Sequence, residues 1–280
     1  MLIAPLILFF VVGAVVGSFL NVVADRVPAG QSIISPPSHC PNCQRRIASR
    51  DLIPIFSYIW LKGRCRYCRF VIPIRSFLVE LLTGILFAFL YWHYGLSWDL
   101  AIVIVFCCLF IILIVTDLET GILPNKIVYP GMILAFVFAG LGSIFRFMPS
   151  FIADVFPLFA GLWIANAAIG GVAGFVILLV IALIFRGGMG WGDVKLAGLI
   201  GLSVGFPLIL VAIFLAVVTG GLAAIILLLL KIRRRKEAIP FGPFLALAAM
   251  LTLFWGSDLL YWYLKVSIFS AGWTGMAITF

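Results

Sequence analysis

The stretch "WDLAIVIVFCCLFIILIVTDLETG", residues 98–121, carries no charged side chain between Asp99 and Asp117. Its apolar residues are continuous and do not alternate. A membrane β-barrel strand alternates over segments of about 10 residues, whereas a spanning helix needs about 20 predominantly apolar ones. The stretch therefore predicts a helix over 98–116 that ends on Asp117. Comparable runs lie at 3–23, 76–94, 127–146, up to Phe185, at 207–231 and at 241–264. The 280 residues are 65% hydrophobic and only 10% charged, against about one quarter in a soluble domain. The expected fold is an all-α polytopic membrane protein with about eight transmembrane helices. One of them, 194–205, is either a short sixth helix or partly re-entrant. Its 12 residues rise roughly 18 Å, short of a bilayer core of about 30 Å.

The net charge of +9 is unevenly spread. Nine of the 19 Lys and Arg residues fall between Arg26 and Arg75, and five more in "KIRRRK", 231–236. In a membrane chain such clusters mark cytoplasmic segments. No recognition fold accompanies them, so a nucleic-acid partner is not expected. Eight crossings with the N-terminus outside put 24–74, 117–126, 187–193 and 232–240 all inside. The first run reads as a retained helix rather than a removed signal peptide. The expected organisation is a first transmembrane helix at 1–23, a cytosolic zinc domain at 24–75 and a membrane bundle at 76–280. Glycine pairs Gly13/Gly17 and Gly201/Gly205 have the spacing of close helix approach.

Within the cytosolic segment, "HCPNCQRRIASRDLIPIFSYIWLKGRCRYCRF" holds two C-x2-C bites, Cys40/Cys43 and Cys65/Cys68, with 21 residues between them. Two such bites complete a tetrahedron around zinc, and a reducing compartment argues against disulfides. Four thiolates leave no open position for water, so the expected zinc is structural. His39 is surplus to the four. Cys107 and Cys108, inside an apolar helix, are expected to act as small hydrophobes.

Of ten acidic residues, Glu80, Asp117, Glu119 and Asp193 sit within or at the ends of spans on the predicted cytosolic side. Acids near a bilayer are functional candidates by default. Asp117 and Glu119 are about 200° apart on a helix, so only one faces the bundle interior. Asp193 follows "GGMGWG", whose glycines permit positive φ and close backbone approach to a ligand. Its plainer role is to complement a helix N-terminus. If Asp117 and Asp193 meet within hydrogen-bond reach they share one proton. One then acts as base on water and the other as acid toward a carbonyl, the chemistry of an aspartic protease.

"TDLETGILPNKIVYP" (116–130) followed by "GMGWGDVKLAG" (188–198) resembles the two aspartate motifs of the type IV prepilin peptidases, a GxGD-type family of membrane aspartic proteases. "GSFLNVVADRVP" (17–28), "CPNC…CRYC" and "IRSFLVELLTG" (74–84) are similar to other segments of that family and occur in its order. The resemblance implies a bifunctional enzyme of the bacterial inner membrane, multi-pass in lipid. It would cut the leader from prepilins and type II secretion pseudopilins, typically after glycine. It would then N-methylate the new terminus with S-adenosylmethionine. Carried over by motif, the catalytic pair is Asp117 and Asp193. Glu80, Gly190, Gly192 and Lys195 are candidates for substrate placement or methylation, with Glu80 equally readable as a packing acid bonded to a neighbouring span. Two other readings stand beside this one. An ion-coupled transporter also uses intramembrane acids and broken helices, and a non-catalytic scaffold would use the zinc domain to bind a partner.

Overall fold

A computed structural model describes residues 3–147, 149–153, 162–184, 189–230 and 240–270, the last four by backbone only. The basic cluster 231–236, Pro157, Phe185, Gly187 and Gly188 lie outside the described residues. The described residues form helices and turns, with two isolated β-bridges. Among the described residues, seven helices are long and apolar enough to cross a membrane. The chain divides into two compact units, Met1–Pro124 and Asn125–Phe280.

The first unit holds three of the long helices, α1 (Ile3–Arg26), α3 (Ile74–Tyr94) and α4 (Trp98–Thr120), with the five-residue α2 (Phe56–Trp60) between α1 and α3. Small residues let α1 and α3 approach closely. A Cβ at Gly13 would meet the Thr83 carbonyl at 2.7 Å, one at Gly17 would meet Glu80 Cα at 2.9 Å, and one at Gly84 would meet the Phe10 carbonyl at 3.0 Å. The Asn21 amide donates to the Ser76 carbonyl at 3.1 Å, fixing the end of α1 against the start of α3. α4 begins where Ser97 Oγ accepts from the Leu100 amide at 3.2 Å. It stops at Gly121, whose φ of 64° is left-handed and whose amide donates to the Asp117 carbonyl. Cys107 is fully buried and Cys108 partly so, both among apolar neighbours on α4.

The second unit contains α5 (Asn125–Ile144), the short α6 (Ser150–Ala153), α7 (Trp163–Ile184), α8 (Trp191–Val204), α9 (Leu208–Leu229) and α10 (Gly242–Ser270). α8 is the short sixth helix expected from the sequence, starting three residues earlier, and it is not among the seven helices long enough to cross a membrane. Its 14 residues rise about 21 Å. Gly205 ends it at φ 75°, ψ −178°, a conformation open to glycine. Asn166, fully buried on α7, clamps the turn. Its Nδ2 donates to the Phe206 carbonyl at 2.7 Å and its Oδ1 accepts the Phe206 amide at 3.0 Å. α7 and α8 pack glycine to glycine, since a Cβ on Gly201 would overlap the Gly170 carbonyl.

Backbone is the obstacle at Gly201, and backbone cannot rotate away. Gly201→Ala is therefore expected to cost about 1–3 kcal/mol. Gly221→Ala, which meets nothing within 4 Å, is the matched control. Thermal unfolding in detergent should show a lower Tm for the first and none for the second.

Candidate functional site

The cysteine segment is built as two copies of one knuckle. In the first, the Cys40 amide donates to the Arg45 carbonyl and the Gln44 amide to the Cys40 carbonyl. In the second, the Cys65 amide donates to Phe70 and the Arg69 amide to Cys65. Gln44 and Arg69 both take positive φ, 55° and 62°, at the equivalent turn position. Bridges His39–Arg46 and Arg64–Val71 close the two loops. Each knuckle presents two thiols, and the four sulfurs of Cys40, Cys43, Cys65 and Cys68 lie within 4.8 Å of one another. Cys40 and Cys68 Sγ are 3.7 Å apart. The edge of a tetrahedron with Zn–S of about 2.3 Å is about 3.8 Å, so the four sulfurs fit a zinc ion.

The electrostatics agree with that fit. The Phe70 amide donates to Cys68, and with help from Asn42, Cys40 and Cys43 it outweighs burial and holds this thiol down at about 6. At Cys43 the Arg45 amide acts the same way. Burial and hydrogen bonds with the other three thiols outweigh it and push Cys43 up to about 11. Crowded thiols oppose each other's ionisation, and a divalent cation among them removes that opposition. His39 is exposed, with Nδ1 3.1 Å from the Pro37 carbonyl, outside the four-sulfur cluster. Beside the cluster, Arg66 Nε donates to Asp51 Oδ2 at 2.8 Å and to Oδ1 at 3.1 Å, and the guanidinium holds the Asp51 carboxyl below its usual range.

Glu80 ties the cysteine segment to the helices. Its Oε2 accepts the Ile55 amide at 2.7 Å, and the Ser18 hydroxyl of α1 is a second partner. Ile55 has φ 64°, unusual for a β-branched residue. The carboxylate of Glu80 is thus the acceptor for a strained turn. Arg75, at the start of α3, bonds Asp25 of α1 at 2.7 Å and also Glu119 of α4. This three-helix ion network was not anticipated. Its only trace in the sequence is a cation at the start of an apolar run.

Asp117 is 6% exposed in the last turn of α4, whereas the side chain of Glu119 is 41% exposed and paired with Arg75. One of the two faces inward, as their 200° separation requires. In the second unit, Asp193 is 8% exposed in the first turn of α8, where the helix dipole favours a carboxylate. Its amide donates to the Gly190 carbonyl at 3.1 Å. Gly190 has φ −76° and ψ 144°, an extended conformation that any residue adopts. The positive φ expected of the glycine turn is therefore not found at Gly190. A Cβ there would lie 3.7 Å from Asp193 Oδ2, an ordinary contact. Gly192 is in the same first turn. Lys195 Nζ donates to Asn125 Oδ1 at 3.1 Å and lies 5.5 Å from the centre of the Tyr129 ring, so it anchors α8 to the first turns of α5.

The Bacterial Peptidase A24 N-terminal domain family matches residues 11–94, and the Type IV leader peptidase family matches residues 104–225. A Prepilin leader peptidase/N-methyltransferase of Bacillus subtilis (strain 168) is 33% identical over 261 residues, covering 93% of this chain and 98% of that protein. Proteins of the same name from Aeromonas salmonicida (strain A449) and Pseudomonas aeruginosa are 29% and 30% identical. The first alignment covers 92% of this chain and 93% of its relative, and the second covers 92% of both. No solved structure matches the chain significantly. Two family domains in succession and one-third identity along nearly the whole of a relative lead to one conclusion: the chain belongs to the type IV leader peptidase family.

Proposed function

We propose that the protein cleaves the leader of type IV prepilins and pseudopilins and then methylates the new N-terminus. The family membership and the names of its relatives support both halves and favour neither a transporter nor a scaffold. The observation that carries the mechanism is the pair of buried aspartates at helix ends, Asp117 closing α4 and Asp193 opening α8. In this reading the two carboxylates share one proton. The ionised one takes a proton from water as the water attacks the scissile carbonyl. The protonated one supports the carbonyl oxygen and then the departing amine. Both lie at the cytosolic face, where the basic leader stays in water while the apolar stem enters lipid. Loop 24–74 lies on the same side, which places the N-terminus outside.

The four thiolates would hold a structural zinc, whose chemistry is to cross-link the two knuckles. S-adenosylmethionine would supply the methyl group, with Glu80, Gly190, Gly192 and Lys195 as candidate placing residues. The test is mass spectrometry of a prepilin incubated with the purified protein, with and without S-adenosylmethionine. The expected products are a shortened chain without the donor and a shortened chain 14 Da heavier, about one methylene, with it. Asp117→Ala should still methylate a pre-cleaved pilin peptide. An uncut prepilin under both conditions would overturn the reading.

A further inference from the structure

We infer that α2 and the loop after it form an interfacial docking patch for anionic phospholipid, so that the cysteine segment lies on the bilayer rather than standing off it. The inference rests on the long helices being membrane spans, not on the peptidase reading.

α2 has two unlike faces. On one, Tyr58 stacks on Phe77 of α3 at 5.2 Å, Ser57 is buried, and the preceding Ile55 amide is held by Glu80. On the other, Phe56, Ile59 and Trp60 are 58%, 62% and 70% exposed, and Ile53, just before the helix, is 50% exposed. Four large apolar side chains in eight residues make a patch that needs a cover. Its depth says which. Glu80 is the seventh residue of α3, about 9 Å along the axis from Ile74. The segment joined to Glu80 is therefore level with the second turn of a membrane-spanning helix. Interfacial helices bury their apolar face about 5–10 Å into the boundary between headgroups and acyl chains. A soluble partner would have to displace lipid to reach this depth.

The charge is also suited to lipid. A cavity of about 430 Å³ is lined by Ile53, Phe56, Trp60 and Leu61 together with Arg50, Arg66 and the Asp51 that Arg66 binds. It shares Trp60, Leu61 and Arg66 with a second cavity of about 600 Å³, which Lys62, Arg64, Cys65 and Arg69 also line. Arg66 is bound to Asp51, but among the described residues Lys62, Arg64 and Arg69 form no ion pair. An aromatic ring at the boundary with three cations beside it matches a phospholipid whose glycerol and upper acyl chains meet the first cavity and whose phosphate meets the second.

The experiment reconstitutes the full-length protein in nanodiscs of phosphatidylcholine. These carry a photoactivatable diazirine probe on either phosphatidylglycerol or phosphatidylcholine, and adducts are mapped by mass spectrometry. Adducts are expected on residues 52–62, several-fold more from the phosphatidylglycerol probe. Lys62→Gln, Arg64→Gln and Arg69→Gln should each remove part of that preference, and the triple variant should remove most of it. Phe56→Ser with Trp60→Ser should reduce adducts from both probes. Retained zinc reports that the segment is still folded, and Ile59→Ser alone serves if that double variant loses it. No adducts on 52–62, equal labelling by both probes, or an undiminished preference in the triple Gln variant would overturn the inference.

Discussion

Asp117→Asn and Asp193→Asn are each expected to leave no measurable prepilin cleavage, while Glu119→Gln cleaves normally. Asparagine keeps the shape of the side chain and cannot exchange a proton with water or the leaving amine. General acid–base help is typically worth about 10² to 10⁴-fold, and a dyad that shares one proton loses both functions together. Glu119 is only two residues from Asp117, so it controls for charge near the site. It is exposed and bound to Arg75, and its loss should loosen the ends of α1, α3 and α4 rather than stop the chemistry. Initial rates on a purified prepilin, with the unfolding temperature of each variant alongside, check this. A fully active Asp193→Asn protein would end the proposal.

The second large effect is expected at the thiols. Cys40→Ser should take bound zinc from close to one per chain to nearly none. Zinc contributes about 10–16 kcal/mol of folding free energy in small tetrahedral sites, far more than the few contacts of a segment with so little buried core. Residues 27–73 should then lose amide protection first. The α1–α3 pairing should persist, because it rests on Gly13, Gly17 and Gly84 against Thr83, Phe87 and Phe10. Cys107→Ala with Cys108→Ala should keep the zinc. Metal analysis and hydrogen exchange read both outcomes. Zinc content unchanged after replacement of all four knuckle cysteines would contradict the assignment.

Long apolar runs made the spans legible, because a helix that must satisfy its own backbone in lipid is written as uninterrupted side chains. Where the ends moved, a local cause is visible. α1 continues past residue 23 to Arg26, where Asp25 meets Arg75 and Asn21 meets Ser76. α5 begins at Asn125, two residues before the expected 127, and tolerates Pro130 near its start. The paired C-x2-C spacing likewise announced the sulfur cluster, since each knuckle is local. Other features were not legible because they depend on partners distant in sequence. α2 is only five residues long, too short for a helical period to show, and it is held by Phe77 and Glu80 of α3. Asn166 is one amide in an apolar run, and only the fold brings it to Phe206, 40 residues on. The glycines before Asp193 suggested positive φ, yet Gly190 is extended and a Cβ there would make an ordinary contact with the carboxylate.

The central claim is that Asp117 and Asp193 act at one place. It is tested most directly by cross-linking a variant carrying Asp117→Cys and Asp193→Cys, with Cys107 and Cys108 replaced by Ala and the zinc left bound. A short homobifunctional thiol reagent should join the two positions within one chain, found as a linked peptide pair containing residues 117 and 193. A control with Leu118→Cys in place of Asp117→Cys should not link. If both cysteines react singly with the reagent in the membrane and no linked pair forms, the two aspartates do not share a site and the proposed mechanism is wrong.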